Sequence, residues 1–294
     1  LVLVHGDTTT TLVAGLSAFY QRIPVGHVEA GLRTYDYDHP FPEEMNRRLA
    51  DALATLHFAP TATSRRALLA ERIPPKSVFV TGNTVIDALL TVAGRPHAFS
   101  AAGGVGRALK AARGRRIILV TAHRRESWGA PFAGICRALA RIASRGDAAV
   151  IYPVHPNPNV RRPARAILGR ARNVHLLPPL DYPDLVHLMK RAHLVLTDSG
   201  GLQEEAPSLG KPVLVMREVT ERPEAVRAGT ARVVGTREDR IVRETARLLD
   251  DDRAWRAMAE RVNPYGDGRA AARTVQVILH HFGLRRTRPP DFHP

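Results

Sequence analysis

Short apolar runs and longer amphipathic stretches alternate along this chain. Ten runs of a few mostly apolar residues read as buried strands: 1–4, 25–28, 56–59, 77–80, 117–121, 149–153, 174–177, 194–197, 213–215 and 231–234. Between most of them lie helix-length segments with apolar residues three or four apart, such as "FAGICRALARIAS" and "DLVHLMKRAH". Continuous apolar strands alternating with helices predict an α/β fold, with parallel sheets covered by helices on both faces. The rhythm breaks at "GRPHAFSAAGGVGRAL", a Gly/Ala/Ser-rich stretch that reads as a linker. The predicted division is 1–95 for a first domain, 96–105 for the linker and 106–266 for a second domain. A terminal helix over 267–283 is expected to cross back to the first domain, with a disordered tail over 284–294.

Four strands precede the linker and six follow it. If the two domains are alike, the first is short by two or three βα units, on the order of 60–90 residues. The chain also begins at Leu1, inside an apolar run, without a methionine. Both features lead to the expectation of an N-terminally truncated piece of a longer protein.

With 294 residues, 44% of them hydrophobic, the chain can bury a sizeable core. No window approaches 18 uninterrupted apolar residues, and no signal-peptide pattern opens the chain, so a cytoplasmic protein without a membrane span is expected. The single cysteine, Cys136, rules out an intramolecular disulfide and fits a reducing compartment. It lies in the apolar pattern of a helix and reads as a buried small residue. The net charge is +15, and all but Lys76, Lys110, Lys190 and Lys211 of the 43 basic residues are arginine. Nucleic acid is the obvious suspect for such a charge. The arginines are spread and no zinc-finger or RNA-binding motif is visible, so no nucleic-acid partner is expected. An anionic small substrate suits the same field.

In open parallel sheets, ligands bind beyond the carboxyl ends of the strands. The polar residues at those places are Asp7 after the first run, Glu29 after the second, and Glu43 with Glu44 at a helix start, followed by Arg47. In the second half they are His123, His155, the group Ser199, Gly200, Gly201 and Glu205, and Arg222. Taken singly these are weak signals. Asp7 suits a helix N-cap as well as a catalyst, Glu43 is a favourable first-turn acid, and His155 suits a structural role between prolines. His280 and His281 read as surface or packing residues of the terminal helix. "DSGGLQEEA" carries more. A strand ends, two glycines allow close backbone approach, and a helix start offers free N–H groups to a phosphate. Glu205, one turn on, suits the two hydroxyls of a ribose. The string matches neither the G-x-x-x-x-G-K-[ST] loop nor G-x-G-x-x-G, so ATPase and dinucleotide readings find little support. No metal-ligand spacing stands out, and no cofactor is implied. Several carboxylates without a metal point to proton transfer, one group taking a proton and another giving one.

The strings "HGDTTTT", "HVEAGLR", "PEEMNR", "TGNTVID", "AHRRES", "PVHPNPNV", "TDSGGLQEEA" and "ERPEAV" occur in this order. Together they resemble the non-hydrolysing bacterial UDP-N-acetylglucosamine 2-epimerases over most of the chain. The resemblance implies a glycosyltransferase-B type fold, two Rossmann-like domains with a cleft between them. It implies interconversion of UDP-GlcNAc and UDP-ManNAc for cell-surface polysaccharides, by elimination of UDP across C1–C2 and its re-addition, with no NAD and no metal. It implies a UDP-sugar as the partner and a homodimer as the assembly. Carried over by motif, Asp7, Glu29 and Glu43 are the acid/base candidates, and His123 contacts the diphosphate or the leaving group. Ser199, Gly200 and Gly201 hold phosphate, Arg222 neutralises it and Glu205 takes the ribose hydroxyls. Leu180 and Leu185 match the uracil-contacting segment in position only. The family's N-terminal G-T-R-P-E motif has no counterpart here. That leaves a catalytically impaired UDP-binding fragment as an alternative, beside a hydrolysing epimerase and a glycosyltransferase of the same architecture.

Overall fold

In the computed structural model, which describes residues 1–38 and 40–294, the chain divides into two units, Leu1–Ala88 with Pro264–Pro294, and Leu89–Asn263. The first unit runs β1 (Val2–His5), α1 (Thr9–Tyr20), β2 (Val25–Val28), α2 (Glu43–Leu53), β3 (Leu56–Ala59), α3 (Ala62–Ala70) and β4 (Val78–Val80). Its four strands form a parallel sheet in simple sequence order. The next helix, α4 (Thr84–Ala93), contains the point of division. The expected boundary at 95 therefore moves into a helix. An uninterrupted 3–4 periodicity cannot mark a division that leaves the helix intact.

The second unit holds α5 (Gly104–Ala111), β5 (Arg116–Thr121), α6 (Ala130–Ser144), β6 (Ala148–Pro153), α7 (Pro158–Leu168), β7 (Val174–Leu177) and α8 (Tyr182–Arg191). It continues with β8 (Leu194–Thr197), α9 (Gly200–Ser208), β9 (Val213–Val215), α10 (Pro223–Ala228), β10 (Ala231–Val233), α11 (Glu238–Asp250) and α12 (Asp252–Ala259). The strand order is β10-β9-β8-β5-β6-β7, all parallel. The order reverses at β5, whose neighbours are β6 on one side and β8 on the other. A crevice opens at such a reversal, beyond the carboxyl ends of the two central strands.

The apolar spacing in α6 shows how the second unit is held. Phe132, Ile135, Leu139 and Ile142 fall on one helical stripe and are at most 1% exposed. They pack with Ile118, Val120, Val150 and Tyr152 from the central strands. Truncating one of these large side chains to alanine costs about 2–5 kcal/mol. Cys136 lies on the same stripe, fully buried, and burial pushes its thiol up to about 12.

In the first unit, α13 (Ala270–His281) contributes Val277 to a cluster with Leu56, Phe58 and Phe79. The stretch 284–294, expected to be disordered, is instead laid along the free edge of β4. The Phe292 N–H donates to the Val80 carbonyl at 2.7 Å, and the Val80 N–H donates to Asp291 Oδ1 at 2.9 Å. Arg288 donates to the Val78 carbonyl and lies over the Phe79 ring. Pro289 and Pro290 forbid regular structure here, and the order comes from pairing with a strand edge, which local composition does not encode. Among the described residues no helix is long and apolar enough to cross a membrane, and no group of three or more His, Cys, Asp and Glu side chains is placed to hold a metal.

Candidate active site

In the first unit, the carboxyl ends of β1 and β2 and the start of α2 carry the acidic residues. Thr8, not Asp7, caps α1: its hydroxyl accepts from the Thr11 N–H at 3.2 Å. Asp7 is thereby released from a capping role. Its carboxylate is paired with Arg47, and its carbonyl accepts from Asn46 Nδ2 at 3.0 Å. Glu29 has a φ of 69°, a left-handed conformation unusual for a residue with a side chain. Its Oε2 accepts from Asn83 Nδ2 at 2.8 Å and lies 3.7 Å from His5 Nε2. Two residues on, Gly31 has a φ of 85°, and a Cβ there would sit 2.3 Å from the Ser64 carbonyl oxygen. The turn after Glu29 thus accepts only glycine at that position.

Glu43 and Glu44, indistinguishable as adjacent acids in the sequence, differ in the structure. Glu44 is fully buried, and its oxygens accept from the Thr34 and Tyr35 N–H groups at 3.1 and 3.0 Å. It braces a loop. Glu43 lies half-buried at the first turn of α2, so of the two it remains the candidate for proton transfer.

In the second unit, His123 follows β5 and Ser199 follows β8, so both stand at the carboxyl ends beside the reversal in strand order. Ser199 is the N-cap residue of α9, yet its side chain makes no capping bond. The hydroxyl and the first N–H groups of the helix remain available to an acceptor. A Cβ on Gly200 would lie 3.0 Å from Glu221 Oε1 and 3.7 Å from the Arg222 guanidinium, so glycine lets this cation approach the helix start. Arg222 is itself paired with buried Glu204. Arg124 and Arg217 converge on Glu221, at 3.2 and 2.5 Å. Burial raises the Glu221 carboxyl, and Arg217, Arg222 and Arg124 together outweigh it, so its pKa lies below the usual range. The result is an arginine-rich helix start that suits a diphosphate.

Asp198 is fully buried beneath this site. Its Oδ2 accepts from the N–H groups of His123 and Arg124 at 2.6 and 2.7 Å, and Oδ1 lies 3.4 Å from His123 Nδ1. Burial pushes the His123 pKa down. Asp198 opposes that, while Arg124 and His155, whose ring stacks on it at 5.4 Å, reinforce it. His123 is therefore poised as a neutral imidazole. Glu205 is raised by burial, partly offset by the Tyr182 hydroxyl that donates to it at 2.6 Å. Leu180 lines a cavity of about 240 Å³ with Leu177, Pro178, Pro179 and Gly104. Leu185, half-buried in the first turns of α8, does not line it.

Asp7, Glu29 and Glu43 thus share one rim, and His123, Ser199, Gly200, Gly201, Glu205 and Arg222 share another. Sequence reasoning missed Asp198, Arg124, Glu221 and Tyr182. Asp198 and Arg124 adjoin predicted site residues, but nothing in their spacing separates a brace from a neighbour.

A UDP-N-acetylglucosamine 2-epimerase family model matches residues 1–279. The UDP-N-acetylglucosamine 2-epimerase of Escherichia coli (strain K12) is 56% identical over 288 residues, covering 96% of this chain and 76% of that protein. Staphylococcus aureus MnaA, in a co-structure with UDP, superposes with a TM-score of 0.94 at 47% identity, covering 99% of this chain and 78% of that one. The Neisseria meningitidis UDP-GlcNAc 2-epimerase bound to UDP-GlcNAc does so with 0.85 at 46%, covering 95% and 76%. Two parallel α/β units, polar rims at their strand ends and a match along nearly the whole chain lead to one conclusion: the chain belongs to the UDP-N-acetylglucosamine 2-epimerase family.

Proposed function

We propose that this chain interconverts UDP-GlcNAc and UDP-ManNAc without hydrolysis. The observation that carries the reading is the start of α9. An uncapped serine hydroxyl, two glycines and a flanking arginine form an anion site on the unit that also presents Glu205. In that reading Ser199, Gly200, Gly201 and Arg222 hold the diphosphate, Glu205 the ribose, and Leu180 and Leu185 border the uracil.

Chemistry falls to the first unit. A carboxylate among Asp7, Glu29 and Glu43 removes the proton from C2 of the hexose. The C1–O bond to UDP breaks, its electrons leave with the diphosphate, and a C1=C2 double bond forms. Neutral His123 donates a hydrogen bond to the departing oxygen. UDP then adds back to C1 while a second carboxylic acid delivers a proton to the opposite face of C2. Water is not consumed and no redox change occurs, so the route asks only for acid/base groups and anion stabilisation. A cytoplasmic role in cell-surface polysaccharide synthesis rests on the family resemblance alone.

Proton NMR of the purified chain with UDP-GlcNAc in D2O tests this. The expected outcome is UDP-ManNAc carrying deuterium at C2. Free ManNAc with UDP would replace the proposal by a hydrolysing reaction. UDP binding without exchange would leave a nucleotide-binding chain.

A further inference from the structure

One buried histidine in the first unit has no part in the chemistry above. His27, on β2, is completely shielded from solvent. Its Nδ1 lies 2.6 Å from Asp51 Oδ1, and its Nε2 lies 2.8 Å from the Gly6 carbonyl oxygen. A carboxylate and a carbonyl can only accept, so both ring nitrogens must donate, and the ring is an imidazolium. A neutral ring would turn a lone pair toward one of these oxygens and leave that acceptor buried and unsatisfied. Burial opposes the charge, but Asp51, the Gly6 carbonyl and Glu29 together outweigh it and the His27 pKa is raised.

The surroundings balance this charge. Asp51, on α2, also accepts from Gly31 N at 3.3 Å and Arg33 Nη2 at 2.7 Å, and Arg33 reaches Glu71 through two hydrogen bonds. Arg48 Nε also lies 3.4 Å from Glu71, so three cations meet Asp51 and Glu71. Glu29, on the loop after β2, adds a further negative charge facing His27. His57, on β3, donates through Nε2 to the Asp51 carbonyl, while its Nδ1 has no hydrogen bond among the described residues. Burial holds this second ring neutral, so one imidazole beside Asp51 is charged and the other is not.

What His27 holds is the turn that carries Asp7. The Gly6 N–H donates to the Val28 carbonyl at 3.0 Å, and the Gly6 carbonyl accepts from His27, so both polar groups of this residue are fixed immediately before Asp7. On its other side Asp51 holds the Gly31–Arg33 turn that follows Glu29. We propose that His27 is a positioning residue for the acid/base carboxylates, a double donor that couples the Asp7 turn, through Asp51, to the turn behind Glu29. It touches no substrate. It acts by keeping two carboxylates on different strands in fixed register, where a displacement of about 1 Å costs roughly 100-fold in rate. The assignment of catalysis to those carboxylates rests on the proposed function.

Two substitutions separate the ring's contacts. His27→Asn places an N–H where Nδ1 stood and keeps the Asp51 contact. His27→Gln places one where Nε2 stood and keeps the Gly6 contact. The expected result is a fall in kcat of about 100-fold in H27N, which frees the Asp7 turn, and a clear but smaller fall in H27Q, which still holds Gly6 and loses only the tie to Asp51, with UDP affinity and KM nearly unchanged. Equal losses in both variants, tracking their loss of thermal stability, would overturn the proposal. Two readouts need no turnover. Nitrogen-15 NMR of histidine-labelled wild-type chain should show one ring protonated at both nitrogens through neutral pH, and a neutral His27 overturns the proposal. Amide exchange at Asp7 and Thr8 should quicken in H27N and not in H27Q, and identical protection overturns it too. If the wild-type chain does not epimerise, the functional reading fails and these two readouts still decide the role of His27.

Discussion

The strand-end rims of the two units handle charge in opposite ways, and two histidines make the contrast concrete. His27 and His123 each stand beside a fully buried aspartate, Asp51 and Asp198. Asp51 turns an oxygen directly onto the ring at 2.6 Å. Asp198 gives one oxygen to two backbone N–H groups, and the other stays 3.4 Å from the ring without a hydrogen bond among the described residues. Arg124 and His155 then press on His123. One ring is held charged and the other neutral. An Asp beside a His does not decide the protonation state; the direction of the carboxylate's lone pairs and the remaining neighbours do. The first rim fixes its acidic turns through the Asp7–Arg47 and His27–Asp51–Arg33 ion pairs. The second leaves a serine hydroxyl and helix N–H groups open to an anion.

The contrast breaks most visibly in catalysis. Asp7→Asn is expected to lower kcat by about 10²–10⁴-fold with UDP affinity unchanged by calorimetry. A matching loss of UDP binding would mean that the two rims do not divide the work in this way. Stability comes next. Asp51→Asn removes the carboxylate from buried His27, while Arg33 keeps Glu71, and should cost about 3–5 kcal/mol in denaturant unfolding. Asp198→Asn keeps a carbonyl oxygen for the two backbone donors and should cost about 1 kcal/mol. Equal costs would erase the distinction between the two aspartates. Tyr182→Phe removes the donor to Glu205 and should weaken UDP binding by about 1 kcal/mol, roughly fivefold, without changing the stability of the first unit.

The smallest effect is a tilt of stability with pH. His27 has a raised pKa in the folded chain, so its contribution is complete below about 6.5, the unfolded value, and is lost as pH rises through the folded value. His57 and His123 have lowered folded values, so they cost stability as pH falls below about 6.5. Unfolding free energies measured across neutrality should lose the alkaline decline in H27Q and keep the acidic one. An unchanged alkaline limb would remove His27 as its source.

Much of this architecture is legible in the sequence, for a physical reason. Strands of a parallel sheet covered on both faces are mostly apolar, so β8 and β9 read directly as apolar runs, and β2, β3 and β7 do so despite one histidine each. Site residues at strand ends are legible because the topology places ligands there. The rest depends on direction rather than identity. Glu43 and Glu44 are the same residue type one position apart, and only the helical rotation of about 100° between them sends one into the loop and leaves the other at the rim. His27 sits within a motif that reads as a carrier for Glu29, and its partner Asp51 lies 24 positions away. No local pattern joins those two. With Arg65 and Arg273 adding contacts to Asp291 and Phe292, the tail over 284–294 gains order from β4, 211 positions away.

That last contact has a consequence in time. Val80 and Asp291 are 211 positions apart. A ribosome adding 5–20 residues each second needs roughly 10–40 s to make the intervening chain. Throughout that interval the outer edge of β4 stands without its cover, while its neighbours are already able to pair. Its three residues offer too short a ladder to recruit a stray strand. The brevity of β4 guards the nascent sheet until the tail arrives to take over.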